Sequence, residues 1–326
     1  MKPEDAKNKF INTNALVSAG WLGVRFVPDV HGQSEELNRV LGEALAKRYY
    51  VIMLGDLVDR GEDNPGVLNR VSQMVERDEG EFILGNHCWK FLRLAKGQPV
   101  RPSDELKKTI SQFIGDDVTK VNFDENPELL KVAQAALAEH PAVKRWVPHA
   151  ERAPLWMRVG NIVVAHAAYS QLMEVPYIED DRLARGLVSH ALYGERFKLS
   201  SSDEVEVLEK HRLPGTDLVR SFMWTFTVPA GTTAVVGHTI MDNKEVTVIK
   251  APAGGRTVFL DLGCGFAGHA LATMDVPIGS LAMAKTEKHA EFSRPVRMVS
   301  AVDLAGFFSG RDQEKVRKDD KGKRKP

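Results

Sequence analysis

The sequence predicts an α/β protein whose sheets are buried on both faces, and three observations carry that prediction. Six short, β-branched runs each end in polar or glycine residues: VRFVPD (24–29), YYVIMLGD (49–56), EFILGN (81–86), NIVVAH (161–166), TAVVGH (233–238) and RTVFLDLG (256–263). Helical patterns separate the early runs. A stretch from 90 to 150 is rich in helix formers and holds no convincing strand.

Continuous apolar runs of this length read as strands covered on both sides, since a half-exposed strand would alternate. After the first run, Ser34 suits an N-cap and Glu35 and Glu36 suit a first turn. Leu37, Val40, Leu41, Ala44 and Leu45 then form one apolar stripe. A second helix is predicted over 65–78, with Pro65 as a favourable first residue and Val67, Leu68, Val71, Met74 and Val75 on its apolar face. Strand, helix, strand, helix, strand is the expected order. Residues 90–150, which include PELLKVAQAALAEH, read as a helical insertion and a candidate cap or lid. From 256 onward RTVFLDLG, HALATMD and GSLAMA predict a β-meander with glycine-rich turns. In residues 311–326, RDQEKVRKDDKGKRKP, basic side chains outnumber acidic ones by eight to four. Such a segment cannot offset its ordering entropy by burial, so a disordered tail is expected, with contact to acidic partners as the weaker alternative. The expected organisation is one domain over 1–310, interrupted by the 90–150 insertion, and a tail.

Composition narrows the class. The 44 basic and 44 acidic side chains cancel, so nothing drives the whole molecule toward nucleic acid or membrane. MKPEDAKNKF is not a signal peptide, and no apolar run approaches a membrane span. Two cysteines, Cys88 and Cys264, exclude a disulfide framework and fit a reducing compartment. A soluble cytoplasmic protein is expected.

The chemistry sits at the strand ends. Asp29 and His31 follow the first run, Asp56 and Asp59 the second, and Asn86 and His87 the third; His166 and His238 end the fourth and fifth. Ligands of α/β sheets bind beyond the carboxyl ends of the strands, so these distant side chains can converge. The donors are N and O with no thiolate, which suits manganese, iron or zinc. Six donors exceed the need of one tetrahedral ion and suit two adjacent ions sharing a carboxylate, the arrangement used to hydrolyse phosphate esters.

Taken in order, DVHG, GDLVDRG, GNH, VVAHA and VVGHT resemble the calcineurin-like metallophosphoesterases, and within them the phosphoprotein-phosphatase type, over roughly residues 24–275. The resemblance implies a sandwich of two mixed β-sheets flanked by helices, with a helical cap. It implies that Asp29, His31 and Asp56 hold one divalent metal, manganese first. Asp56 would bridge to a second metal held by Asn86, His166 and His238. Arg60 would grip the substrate phosphate, His87 would be the general acid, and Asp59 would orient it, while a metal-bridging hydroxide attacks phosphorus.

Within the family, GNHCWKFLRLAKGQPV, ALYGE and DLGCGFAGHALATM look most like the phosphatase module of bacterial RNA end-healing polynucleotide kinase–phosphatases. No GxxxxGK[ST] loop occurs in the chain, which predicts a phosphatase without that kinase half. The expected substrate is a phosphorylated one: a phosphoprotein first, an RNA end or a dinucleoside tetraphosphate second. A phosphate-gripping module without turnover is the competing class. Pro28 stands where the family carries glycine, Cys88 where it carries an acid, and Ala167 and Ala168 where a glycine often follows.

Other readings carry less. Cys88 as a nucleophile would need a base held by a third group, and its neighbour His87 points elsewhere on a helix. GCGFAG (263–268) matches a dinucleotide fingerprint but is followed by strand-like residues rather than a helix. Arg182, Arg185 and Arg196 beside Tyr193 and Glu195 read equally well as a phosphate-binding edge or a solvated helix face. The histidines at 140, 149, 190, 211, 269 and 289 sit in no motif.

Overall fold

Covered apolar runs become strands and amphipathic stripes become helices in the computed structural model, which describes residues 8–175, 180–198, 218–282 and 290–300. The described chain begins with strand β1 (Asn8–Ile11) and helix α1 (Thr13–Ser18). Next come β2 (Gly23–Val27), α2 (Ser34–Ala46), β3 (Tyr49–Met53), α3 (Asn64–Glu76) and β4 (Gly80–Phe82). β2 is buried at every position, Arg25 included. α2 buries Leu37, Val40, Leu41 and Ala44, but Gln33 stands at its N-cap without a side-chain cap bond, and Ser34 is already helical. α3 starts one residue before Pro65, because Asp63 takes the capping role and accepts from the Gly66 N–H at 2.8 Å.

Four helices follow: α4 (Asn86–Ala95), α5 (Asp104–Ile114), α6 (Pro127–Glu139) and α7 (Pro141–Ala150). Among the described residues, 86–150 contain no strand. An aromatic cluster ties three of these helices to β4: Phe91 lies 5.1 Å from Phe113 and 5.9 Å from Trp146, and Trp146 stacks 6.3 Å from Phe82. The chain then returns through β5 (Trp156–Val159), β6 (Ile162–Ala165), α8 (Asp181–Tyr193), β7 (Glu195–Lys198) and β8 (Leu218–Ser221). The remaining strands are β9 (Thr233–Val236), β10 (Val246–Lys250), β11 (Arg256–Phe259), β12 (Met274–Pro277), β13 (Glu291–Phe292) and β14 (Val296–Ser300).

Two mixed sheets result, one ordered β1-β5-β6-β9-β11-β10-β14 and the other β13-β12-β2-β3-β4; β7 and β8 form a separate ribbon. Val24, Phe26, Ile52 and Met274 from the smaller sheet pack with Val164, Val235, Val248 and Val258 from the larger, which makes this a sandwich with an apolar filling. On its other face the smaller sheet turns Val27, Val51 and Met53 toward Leu37, Leu41, Leu68 and Val71 of α2 and α3. Arg25 is buried but paired, with Nε 2.6 Å and Nη2 2.7 Å from the two oxygens of Asp275, and this fork fastens β2 to β12.

The expected meander is corrected here. β11 belongs to the larger sheet, whereas β12 pairs antiparallel with β2 in the smaller one. β2 has an edge free of β3, and Met274 and Val276 fill the inter-sheet core from it, so the chain crosses between sheets instead of turning back. GSLAMA begins in a single 3-10 turn, Ile278–Ser280, rather than a strand. The tail 311–326, His211 and His289 lie outside the described residues. No helix among the described residues is long and apolar enough to cross a membrane.

Candidate active site

β2, β3 and β4 run parallel in one sheet, and β6, β9 and β11 run parallel in the other. Their carboxyl ends meet at one rim. Contacts across it show the junction: His166 Nδ1, after β6, donates to the carbonyl of Leu54, after β3, at 2.8 Å. The His238 N–H, after β9, donates to Asp29 Oδ1, after β2, at 2.9 Å.

Asp56 stands at the centre. Its Oδ2 lies 3.2 Å from His166 Nε2, and its Oδ1 accepts from the His87 N–H at 2.9 Å. His166 Nε2 is also 3.0 Å from Asn86 Oδ1. Two donor clusters share this aspartate, one with His31 and His87, the other with His166 and His238, and in each the ligand atoms all lie within 4.8 Å of one another. Asp29 Oδ2 is 3.8 Å from His31 Nε2, and Asp29 Oδ1 is 3.8 Å from His166 Nδ1. The structure therefore brings Asp29, His31, Asp56, Asn86, His166 and His238 to one place, with His87, Asp59 and Arg60 at its edge.

The residues fit divalent cations. His31 Nδ1 donates to the Val58 carbonyl at 2.8 Å, which fixes the proton on that nitrogen. His31 Nε2 is then a buried lone pair with no hydrogen-bond partner. A neutral His166, its one proton on Nδ1 for Leu54, likewise sets three acceptors facing one another: Nε2, Asn86 Oδ1 and Asp56 Oδ2. Such a cluster needs a positive charge in its midst.

Electrostatics show the same demand for positive charge, answered in the bare protein by a second proton on His166. Burial opposes a charged His166, yet Asp56 and Asp29 overcome it and push the imidazole up to about 9. Burial raises Asp29 to about 6, although His166 draws it back, and burial lowers His31 to about 3. Asp56 is held well below the usual carboxylate range: burial opposes this, but His166 and His87 prevail. His87 is raised in spite of burial, by Asp56 and by its bond to Asp59.

The backbone is bent to make this geometry. Of seven described non-glycine residues at positive φ, five are His31, Asp56, Asp59, Arg60 and His238. Left-handed backbone strains such residues, and this strain concentrates at functional sites. Close approach requires glycine at 237, where a Cβ would lie 2.2 Å from Asp29 Oδ1.

At the edge, His87 Nδ1 lies 2.5 Å from Asp59 Oδ2, and Arg60 stacks over the ring of Phe266 at 4.6 Å, with Glu105 3.6 Å from its Nε. Three further residues at the site, Arg220, Thr109 and Asp261, are not among those the motifs single out. Arg220 in β8 sets Nη2 3.0 Å from His238 Nε2 and bonds the Thr239 hydroxyl through Nη1. Thr109 reaches Asp59 from α5. Asp261 is buried beside Asp29, and burial raises its carboxyl well above the usual range. Its position just after β11 follows the strand-end rule that found the others.

Cys88 is fully buried, its Sγ accepts from the Leu57 N–H at 3.2 Å, and burial pushes the thiol up, so it is no thiolate nucleophile. Arg196 stacks on Tyr193 at 4.9 Å and bonds the Ser189 hydroxyl, while Arg182 and Arg185 are exposed on α8. His140 caps α7, His149 meets Glu76, and His190 bonds the Tyr169 carbonyl.

Comparison with known proteins follows the same lines. Residues 24–239 match the family model described as calcineurin-like phosphoesterase. A bis(5'-nucleosyl)-tetraphosphatase PrpE [asymmetrical] of Oceanobacillus iheyensis is 28% identical over 156 residues, covering 44% of this chain and 55% of that protein, so the match spans little more than half of that relative. The protein of the same name from Halalkalibacterium halodurans is 26% identical over 265 residues, covering 77% of this chain and 89% of its own. A protein serine/threonine phosphatase from Saccharomyces cerevisiae with similarity to human phosphatase PP5 superposes with a TM-score of 0.48 and 12% identity, over 90% of this chain and 85% of its own.

Proposed function

The chain belongs to the calcineurin-like phosphoesterases and is a phosphoric ester hydrolase, and from that premise we propose that it hydrolyses a dinucleoside tetraphosphate at a two-metal centre. The observation that carries the reaction type is the Asp56 carboxylate shared by two donor clusters. The names of the curated relatives favour the dinucleoside tetraphosphate over the phosphoprotein that the motifs alone put first.

In this reading Asp29, His31 and Asp56 hold one ion, and Asp56, Asn86, His166 and His238 hold the other, with manganese as the proposed metal. Bound there, the pair supplies charge neutralisation for the phosphate oxygens and activation of water. Arg60 binds the phosphate through its guanidinium, kept at the rim by Phe266 and Glu105. Arg220 adds a second cationic fork beside His238. His87 is the acid for the leaving oxygen rather than a ligand: its Nδ1 is committed to Asp59, and Asp56 and Asp59 favour its protonated form over burial.

Metal-stripped and manganese-reconstituted protein should be compared on diadenosine tetraphosphate, a phosphoserine peptide and p-nitrophenyl phosphate. Manganese-dependent turnover with the highest kcat/KM on diadenosine tetraphosphate is expected. A higher kcat/KM on the phosphopeptide overturns the substrate assignment, and equal turnover with and without metal overturns the two-metal centre.

A further inference from the structure

One face of α5 grips the loop that carries Asp59 and Arg60. Glu105, Thr109 and Gln112 are spaced i, i+4 and i+7, which puts them on one side of a helix. Gln112 Nε2 donates to the Gly61 carbonyl at 2.8 Å, and its Oε1 accepts from the Asn64 backbone N–H at 2.9 Å and from Asn64 Nδ2 at 2.8 Å. Asn64 Oδ1 in turn accepts from the Asp59 N–H at 2.8 Å. Thr109 is fully buried, and its Oγ1 is 2.6 Å from Asp59 Oδ1. The other oxygen of that carboxylate, Oδ2, meets His87 Nδ1 at 2.5 Å. Asp59 itself sits at φ 75°, a left-handed position that the surrounding contacts must hold in place.

We propose that Thr109 is a positioning residue for the proton-donating step, acting through Asp59 on His87; this rests on the reading of His87 as the acid. A hydroxyl has one proton to give. Its 2.6 Å contact with the carboxylate is much shorter than its 3.2 Å contact with the Glu105 carbonyl, so Asp59 takes the proton. Fixing Oδ1 in this way stops the carboxylate rotating about its last torsion and keeps Oδ2 aimed at Nδ1. The imidazole plane is then set by a chain of three side chains, Thr109, Asp59 and His87, whose first member comes from the 90–150 segment. Those helices thereby enter the chemistry through a single hydroxyl as well as through packing.

The test compares phenyl phosphate, a poor leaving group that needs an acid, with 2,4-dinitrophenyl phosphate, which does not. Thr109→Val keeps the branched shape and removes the donor; Thr109→Ser keeps the donor. The valine variant should lower kcat on phenyl phosphate on the order of tenfold, the scale of a lost bond to a charged group. KM should hold, kcat on the dinitrophenyl ester should change by less than about twofold, and serine should restore the rate. In an Asp59→Asn background the valine change should have no further effect, because the path through the carboxylate is already cut. Metal content and melting temperature of each variant, compared with wild type, report whether the scaffold is intact. Equal losses on both esters, no loss on either, or a serine variant as slow as valine would overturn the proposal. His87→Ala separates it from the underlying reading: if that variant shows no leaving-group dependence the acid assignment falls, and if it does while Thr109→Val does not, only the role of Thr109 falls.

Discussion

Gly85→Ala is a one-methyl change aimed at the shared carboxylate. Gly85 has extended backbone, φ −95° and ψ 175°, so alanine meets no conformational obstacle there. Space is the obstacle. An added Cβ would lie 2.1 Å from Asp56 Oδ1 and 2.5 Å from the Asp56 backbone nitrogen. Real Cβ contacts essentially never fall below 3.0 Å, so about 0.9 Å must be found. The nitrogen cannot give it, since Asp56 is pinned at φ 39° beside the Gly55 turn, and the Gly85 side cannot retreat without carrying Asn86 along. The displacement falls on the carboxylate that both donor clusters share. Misplacing a reacting group by about 1 Å costs on the order of 100-fold in rate, and overpacking adds about 1–3 kcal/mol of lost stability. The assay is kcat with saturating manganese, bound metal by elemental analysis, and urea unfolding. The expected result is a kcat down about 100-fold and bound metal below two ions per chain. Gly42→Ala is the control: nothing lies within 4 Å of its Cβ position in α2, so activity should hold and stability should rise by up to about 1 kcal/mol. A Gly85→Ala protein with wild-type kcat and full metal would refute the placement of Asp56 at the reaction centre.

Three further outcomes follow from the same geometry. Cys88→Ala removes the acceptor of the buried Leu57 N–H and should cost about 1–3 kcal/mol of stability in urea unfolding while kcat holds; lost turnover at unchanged stability would revive the nucleophile. Phe266→Ala removes the ring on which Arg60 rests, an interaction worth about 0.5–2 kcal/mol, so KM should rise severalfold for every phosphate substrate with little change in kcat. An unchanged KM would show that Arg60 is held by other contacts. Chelation should lower the melting temperature, because buried Asp29, Asp56 and Asp261 lose their counter-charge; a ligand at 1,000 times its Kd contributes about 4 kcal/mol. Equal melting of stripped and reconstituted protein would deny a bound ion any part in holding the fold.

Much of the fold was legible because its strands are covered on both faces, so β2, β3, β6, β9 and β11 appear as mainly apolar, β-branched runs without alternation. Those runs overshoot their strands by one to four residues at the carboxyl end, where the apolar character gives way to the polar residues that turn over the rim. What failed was what periodicity does not encode. An apolar run says that a strand is buried and not which sheet takes it, hence the meander that is really a crossing from β11 to β12. Ser34 was a sound cap by type, but the helix began one residue earlier in register. In the site, residues next to strand ends could be read because position and residue type agree. Asp261 obeys the same rule and could have been included. Arg220 and Thr109 could not: an arginine in a short ribbon and a threonine within a helix are common everywhere, and only the tertiary fold brings them to His238 and Asp59.

A scaffold built for stability alone would not look like this rim. Five non-glycine residues sit at positive φ, each at a cost on the order of 1–3 kcal/mol unless the surroundings compensate. Three carboxylates are buried within reach of one another, and His31 Nε2 has no hydrogen-bond partner. The buried carboxylates and the orphaned imidazole nitrogen are unfavourable in the bare protein, and both are relieved by the same event, a cation entering between the acceptors. The strain aims the side chains, since a left-handed residue just beyond a strand turns the chain sharply and throws its neighbours back over the sheet ends. The acceptors then have no use other than to receive positive charge. Stability lost at the rim is carried by the sandwich below it, where Val24, Phe26, Val164 and Val235 are fully buried. On this division a substitution such as Gly85→Ala acts at the rim, so its cost in rate and its cost in stability arise from one displaced carboxylate and not from the apolar filling.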